Sequence, residues 1–144
     1  MHLSSLFAIL VIIALSTSCA SSAHTYKTGL QDADRSYVKY VSGAGGGKGV
    51  YFEVSLKGLP SPIKVNRFVV NGVELPPEQS DSTLTAAIFY ASAERIQDDA
   101  HPEPENPVLF NAATFEAVIH FSSNGVTDSV KLDGFKEGEQ PMLP

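Results

Sequence analysis

The chain has 144 residues, 43% of them hydrophobic and 18% charged, with one Cys and no Trp. That composition suits one globular domain and excludes a wholly disordered chain or a two-domain enzyme. Sixteen Asp and Glu against ten Lys and Arg leave a net charge of −6. With no basic stripe the chain is not expected to bind nucleic acid, and with one Cys its stability must come from a packed core instead of an internal disulfide.

From the N-terminus, the first element is Leu6–Leu15 (LFAILVIIAL), an unbroken run of ten apolar residues followed by Ser16-Thr17-Ser18-Cys19-Ala20. A membrane-spanning helix needs about 20 such residues, and a helix packed into a domain would interleave polar positions. Ten is the length of a signal-peptide hydrophobic segment, although the leading MHLSS carries no Lys or Arg. The segment Leu15-Ser16-Thr17-Ser18-Cys19 resembles the lipobox of bacterial lipoproteins, with Ser16 where that family usually carries Leu and Leu15 one step earlier. The resemblance implies cleavage before Cys19, a diacylglycerol on its thiol, and an N-acyl chain such as palmitate on its new amino group. It also implies an outer-membrane anchor, since Ala20 is not Asp, and a periplasm-facing domain, since no acidic cluster follows Cys19. A lipid fits the charge: stable anchoring takes two acyl chains or one chain plus a polybasic patch, and a chain at −6 offers no such patch. The alternative is ordinary cleavage after Ala20 or Ala23, which releases a soluble secreted protein.

Beyond Ser22 the apolar period is two. Val50, Phe52, Val54 and Leu56 alternate with Tyr51, Glu53 and Ser55; Leu84, Ala86, Ile88 and Tyr90 repeat the pattern, as do Phe115, Ala117, Ile119 and Phe121. Such alternation predicts strands with one buried face. Asn124-Gly125, between TFEAVIHFSS and VTDSVKL, predicts a two-residue type I′ hairpin in which Ile119 opposes Val130 and Ala117 opposes Leu132. Asn71-Gly72 predicts a second, short hairpin, ended by Pro76-Pro77. The expected strands lie near 37–41, 49–57, 63–70, 73–75, 83–91, 107–110, 114–123 and 126–132. Their number and spacing predict an all-β fold, a small two-sheet β-sandwich of immunoglobulin-like architecture, with a small β-barrel as the alternative. The expected organisation is a signal peptide over 1–18, a lipid-anchored tether over 19–35, the sandwich over 36–135 and an extended tail over 136–144.

Four constellations invite chemistry. Gly43–Gly49 (GAGGGKG) looks like a phosphate loop, but Gly49 follows Lys48 where Ser or Thr is needed, Ser42 stands where the first Gly belongs, and a strand follows instead of a helix. A turn or bulge in which Gly supplies positive φ is the expectation, and no nucleotide partner is expected. Asp98, Asp99, His101, Glu103 and Glu105 are the weak candidates for a metal site; Pro102, Pro104 and Pro107 stiffen the stretch and spread its side chains outward. His120, opposite Ser129 on an outward strand face, could serve a hydrolase only with a carboxylate and a nucleophile in reach. Among the aromatic residues Tyr37, Tyr40, Tyr51, Phe89 and Tyr90, Phe89 is the odd one. Alternation turns it away from Leu84 and Ile88: if each sheet buries one side only, Phe89 and Val118 are exposed and mark a partner site, whereas a strand covered on both faces, or a bulge that resets the phase, would bury Phe89. Phe89, Tyr51 and His120 are the expected partner surface.

The sequence therefore leads to a non-enzymatic envelope lipoprotein, held at the membrane by its lipid, whose β-sandwich binds a protein, a glycan or an envelope component. No cofactor is expected beyond the diacylglycerol and N-acyl lipid on Cys19. The alternatives are a metal-binding carrier using the 98–105 loop, or a small hydrolase using His120.

Overall fold

The computed structural model describes residues 25–41, 47–59, 62–90 and 108–139. The alternation of β2 (Lys48–Ser55) buries Val50, Phe52 and Val54 completely and turns Tyr51 and Glu53 to the other face. β2 lies between β1 (Arg35–Val41) and β6 (Thr83–Tyr90), antiparallel to both. With β5 (Pro77–Gln79) and β9 (Lys136–Glu137) they make a five-stranded sheet in the order β5-β6-β2-β1-β9, in which β9 runs parallel to β1. A four-stranded sheet in the order β4-β3-β7-β8 faces it, built from β4 (Val73–Leu75), β3 (Lys64–Val70), β7 (Ala117–Ser123) and β8 (Val126–Leu132). The two sheets form an open β-sandwich, not a barrel. The pairing of β1-β2-β6-β5 against β3-β7-β8 follows the order of a seven-stranded Greek-key sandwich, with β4 and β9 as two short additions.

The core lies between the inner faces. Phe52 sits at its centre, with the Phe68, Phe115 and Phe135 rings 6.3, 5.0 and 5.7 Å away between centroids. Leu84, Val70, Ala117, Ile119, Val130 and Leu132 close around them. At both Asn-Gly turns the two central residues have positive φ, 47° and 83° at Asn71 and Gly72 and 50° and 78° at Asn124 and Gly125. This is the type I′ geometry whose twist suits a hairpin, and the register it sets pairs Ile119 with Val130 and Ala117 with Leu132.

Several elements depart from the sequence reading for physical reasons. In β3 the inward positions change from Ile63 and Val65 to Phe68 and Val70, because a bulge between Val65 and Arg67 inserts one residue and resets the phase. Pro76-Pro77 ends the short hairpin at Leu75 as expected, but the chain then crosses to the other sheet and continues as β5 at its edge, where a proline's missing N–H is tolerated. The crossing is stitched by Gln79, whose Oε1 accepts the Val65 N–H at 2.8 Å and whose Nε2 donates to the Ile63 carbonyl at 2.5 Å. That side-chain amide does the work of a peptide group.

The expected strand near 107–110 is instead a helical turn, α2 (Val108–Asn111), which plugs one end of the sandwich with fully buried Leu109. Its Leu109 N–H donates to the Tyr90 hydroxyl at 3.3 Å. The Phe110 ring takes the Lys39 and Lys48 ammonium groups at 5.7 and 4.9 Å, and Lys39 also donates to the Ala112 carbonyl at 2.7 Å. At the N-terminal side, residues 25–31 form a helix, α1, whose Tyr26 and Leu30 are buried in the common core. The expected tether over 19–35 is therefore corrected: from residue 25 onward the chain belongs to the packed unit, because Tyr26 and Leu30, four apart on one helix face, have apolar surface to bury.

Candidate functional site

The outer face of the five-stranded sheet carries the concentration of accessible aromatic surface. Antiparallel pairing on both sides of β2 aligns three rows across β1, β2 and β6: Tyr40, Gly49 and Phe89; Val38, Tyr51 and Ala87; Ser36, Glu53 and Thr85. Glu78 of β5 stands next to Thr85 and extends the third row.

The first row has an unusual construction. Tyr40 and Phe89 flank a glycine, and both rings reach over the N-terminal end of β2. The Tyr40 phenol end rests on Gly49, where a Cβ would overlap it, and its hydroxyl donates to the Ile88 carbonyl at 3.4 Å. The Phe89 Cζ lies 2.7 Å from where a Cβ on Gly47 would stand. The two rings are inclined by only 12° with centroids 6.4 Å apart, a near-parallel stacked pair. Phe89 remains 51% exposed.

These glycines are required by close approach, which corrects the expectation for this run. Gly47 and Gly49 are absent from the residues with positive φ; what excludes a side chain at each is an aromatic ring together with a β6 carbonyl, that of Tyr90 at Gly47 and that of Ile88 at Gly49. The remaining glycines of the Gly43–Gly49 run lie outside the described residues.

Along β2 the face turns from apolar to polar. The Tyr51 hydroxyl donates to Glu53 Oε2 at 3.5 Å. Burial, then the charge of Glu53, pushes the Tyr51 phenol above its ordinary value, while a bond from Thr85 works the other way and Glu78 adds to the rise. Tyr51 thus keeps its proton throughout the neutral range and stands as a donor among carboxylates. Tyr40 is raised by burial alone.

The structure separates the residues expected to form one partner surface. Phe89 and Tyr51 share this face, in adjacent rows. His120 lies on the outer face of the other sheet, opposite Ser129 on one side and Arg67 on the other. Glu74, a carboxylate whose pKa is lowered by Arg67 first and by the His120 charge after it, is held in a bidentate pair by Arg67 at 3.0 and 2.7 Å. Asp98, Asp99, His101, Glu103, Glu105 and Cys19 lie outside the described residues. Among the described residues no three His, Cys, Asp or Glu side chains converge on a point that could hold a metal, and no helix is long and apolar enough to cross a membrane.

The surface charges give one prediction. Its bond from Lys27, 3.0 Å away and tying α1 to β8, together with the Ser129 N–H, holds the Asp128 carboxyl below its ordinary value; Arg67 does the same for Glu74. Both groups bind a proton less readily folded than unfolded, so their contribution is present above the unfolded carboxyl pKa of about 4 and is lost as pH falls through the lower, folded values. Melting temperature should drop on acidification below about pH 4. Asp128→Asn should start lower at neutral pH and fall less steeply; parallel curves for the two proteins would show that this pair does not contribute.

Sequence reasoning found Phe89 and Tyr51 but missed Tyr40 as the partner of Phe89 and the glycine floor beneath them. The available signal was two glycines at alternate outward positions of a strand otherwise rich in β-formers. Compared with known protein families, with curated proteins and with solved structures, this chain matches none.

Proposed function

We propose that the chain is a non-enzymatic envelope lipoprotein, anchored through lipid on Cys19, whose β-sandwich acts as a binding module. The observation that carries the binding role is the pair of near-parallel rings of Tyr40 and Phe89, laid on Gly49 and Gly47 with Phe89 51% exposed. An aromatic ring held open to water beside a second ring is the composition of an interface centre. The anchoring rests on the Leu6–Leu15 segment and the lipobox-like residues before Cys19.

Both halves are open to measurement. Mass spectrometry of the mature protein should find Cys19 as the first residue, carrying diacylglycerol and an N-acyl chain; a free thiol, or a start at Ser21 or His24, overturns the anchor. For the module, detergent-solubilised full chain should co-sediment with washed envelope fragments, and Phe89→Ala should sediment markedly less while melting unchanged. Equal sedimentation of the two proteins would remove this face from the function.

A further inference from the structure

We infer that Asn124 is a site of spontaneous covalent modification, where the side-chain amide is lost as ammonia and the turn is relinked as an isoaspartate, while the fold protects the same dipeptide at Asn71.

The chemistry needs an asparagine followed by a residue whose own bulk does not shield its backbone nitrogen, and glycine shields it least. The Gly125 nitrogen gives up its proton and attacks Asn124 Cγ. A new N–Cγ bond closes a five-membered succinimide, the Cγ–Nδ2 bond breaks, and the departing amide takes up a proton to leave as ammonia. Water then opens the ring. Addition at Cγ restores the ordinary backbone with an aspartate side chain; addition at the Asn124 backbone carbonyl leaves isoaspartate, whose main chain runs through Cβ and Cγ. The net change is amide plus water to carboxylic acid plus ammonia, with nothing oxidised or reduced.

Local structure does not distinguish the two dipeptides. Asn71-Gly72 and Asn124-Gly125 are both exposed, and both have two residues of positive φ. A Cβ built on either glycine would meet nothing within 4 Å. The left-handed setting of the asparagine aims the following nitrogen away from Cγ, so ring closure waits for the turn to open. Its rate therefore follows the population of the opened turn.

The difference lies in what holds each turn shut. At Asn71 both ends of the reacting amide are engaged: Nδ2, the leaving nitrogen, donates to the Thr114 carbonyl at 3.0 Å, and Oδ1 accepts the Glu116 N–H at 2.9 Å. The Asn71 N–H adds a third bond to the Glu116 carbonyl at 2.9 Å. Cγ cannot swing towards the Gly72 nitrogen until these let go together. The Asn124 side chain makes no hydrogen bond among the described residues, and its turn is closed by the Ser123–Val126 pair of the ladder. Gly125, at the second central position of a two-residue turn, donates nothing to that ladder.

Isoaspartate adds an atom to the backbone of a turn whose two residues set the β7-β8 register. The pairs nearest the tip, Ser123–Val126 and Phe121–Asp128, should loosen, while Val130 and Leu132, buried in the core, hold the far end.

The test is to age the full chain, in detergent, in warm and mildly alkaline buffer. Mass spectrometry of the fragments carrying each dipeptide follows amide-to-acid conversion, and fragmentation separates aspartate from isoaspartate. In the folded chain Asn124 should convert at least about tenfold faster than Asn71, and in concentrated urea the two should convert at nearly equal rates. Amide hydrogen exchange at Phe121 and Asp128 should quicken as isoaspartate accumulates. Asn124→Gly, which suits positive φ and has no amide to lose, should keep that exchange slow throughout ageing. Equal rates in the folded chain, faster loss at Asn71, or a preference for Asn124 that persists in urea overturns the inference, as does isoaspartate at Asn124 that leaves exchange at Phe121 and Asp128 unchanged.

Discussion

Phe52→Ala should destabilise the domain by about 3–5 kcal/mol, the range for truncating a fully buried Phe. Phe52 is completely buried, and among the described residues it alone touches three other rings, Phe68 from the facing sheet, Phe115 from the segment before β7 and Phe135 after β8. Removing it therefore opens a cavity bordered by both sheets and by the C-terminal segment, and no single neighbour can move in without leaving another. Domains of this size commonly hold only about 5–15 kcal/mol in total, and each kcal/mol is worth about 4 °C in melting temperature, where the ranges for smaller and larger domains meet, so a loss on the order of 10 °C or more is the expected reading. Phe89→Ala is the natural control. Phe89 lies on the neighbouring strand but points outward, and its replacement should stay within about 0.5 kcal/mol, as surface changes do. A drop at Phe89 comparable to that at Phe52 would mean that the outer rings serve the fold and not a ligand.

What the amino-acid pattern reveals about this fold depends on how local the determining physics is. The hairpin at Asn124-Gly125 was readable because two residues with positive φ fix the register of the strands on either side. The outward aim of Phe89 was equally readable, since it follows from alternation along one strand. The stacked pair of Tyr40 and Phe89 was not, for it depends on both lying opposite Gly49. Those pairings join β1, β2 and β6 across intervening segments whose sequence carries no register signal. β5 was lost because Pro76-Pro77 reads as a stop; only the tertiary arrangement shows that Pro77 sits at an edge. The four residues of α2 contain the apolar run Val108-Leu109-Phe110, and so short a run suits a strand or a helical turn alike. Tyr26 and Leu30 offered two apolar positions at helical spacing, too few to distinguish a packed turn from a linker.

The two Asn-Gly turns look alike in sequence and in backbone, yet Asn71→Ala should cost about 3 kcal/mol and Asn124→Ala about 1 kcal/mol. Both asparagines occupy the left-handed region, at φ 47° and 50°, where an alanine pays a steric penalty of about 1 kcal/mol. The difference is tertiary. Asn71 Nδ2 donates to the Thr114 carbonyl at 3.0 Å, its Oδ1 accepts the Glu116 N–H at 2.9 Å, and its own N–H donates to the Glu116 carbonyl at 2.9 Å. One side chain thereby pins the segment between α2 and β7 to the end of β3, and the two side-chain bonds add about 1 kcal/mol each. Asn124 makes no comparable bond to another element among the described residues. Asn71→Asp separates the two contributions, since it keeps the left-handed preference and the acceptor for Glu116 but sets a carboxylate oxygen against the Thr114 carbonyl. Urea unfolding should rank the proteins wild type, Asn124→Ala, Asn71→Asp, Asn71→Ala in order of falling midpoint. Because Phe115 lies within the pinned segment and closes on Phe52, loss of Asn71 should also loosen the aromatic core, visible as faster hydrogen exchange at Ala117 and Ile119. Equal midpoints for the two alanine variants would show that the side-chain bonds of Asn71 add nothing beyond the turn itself.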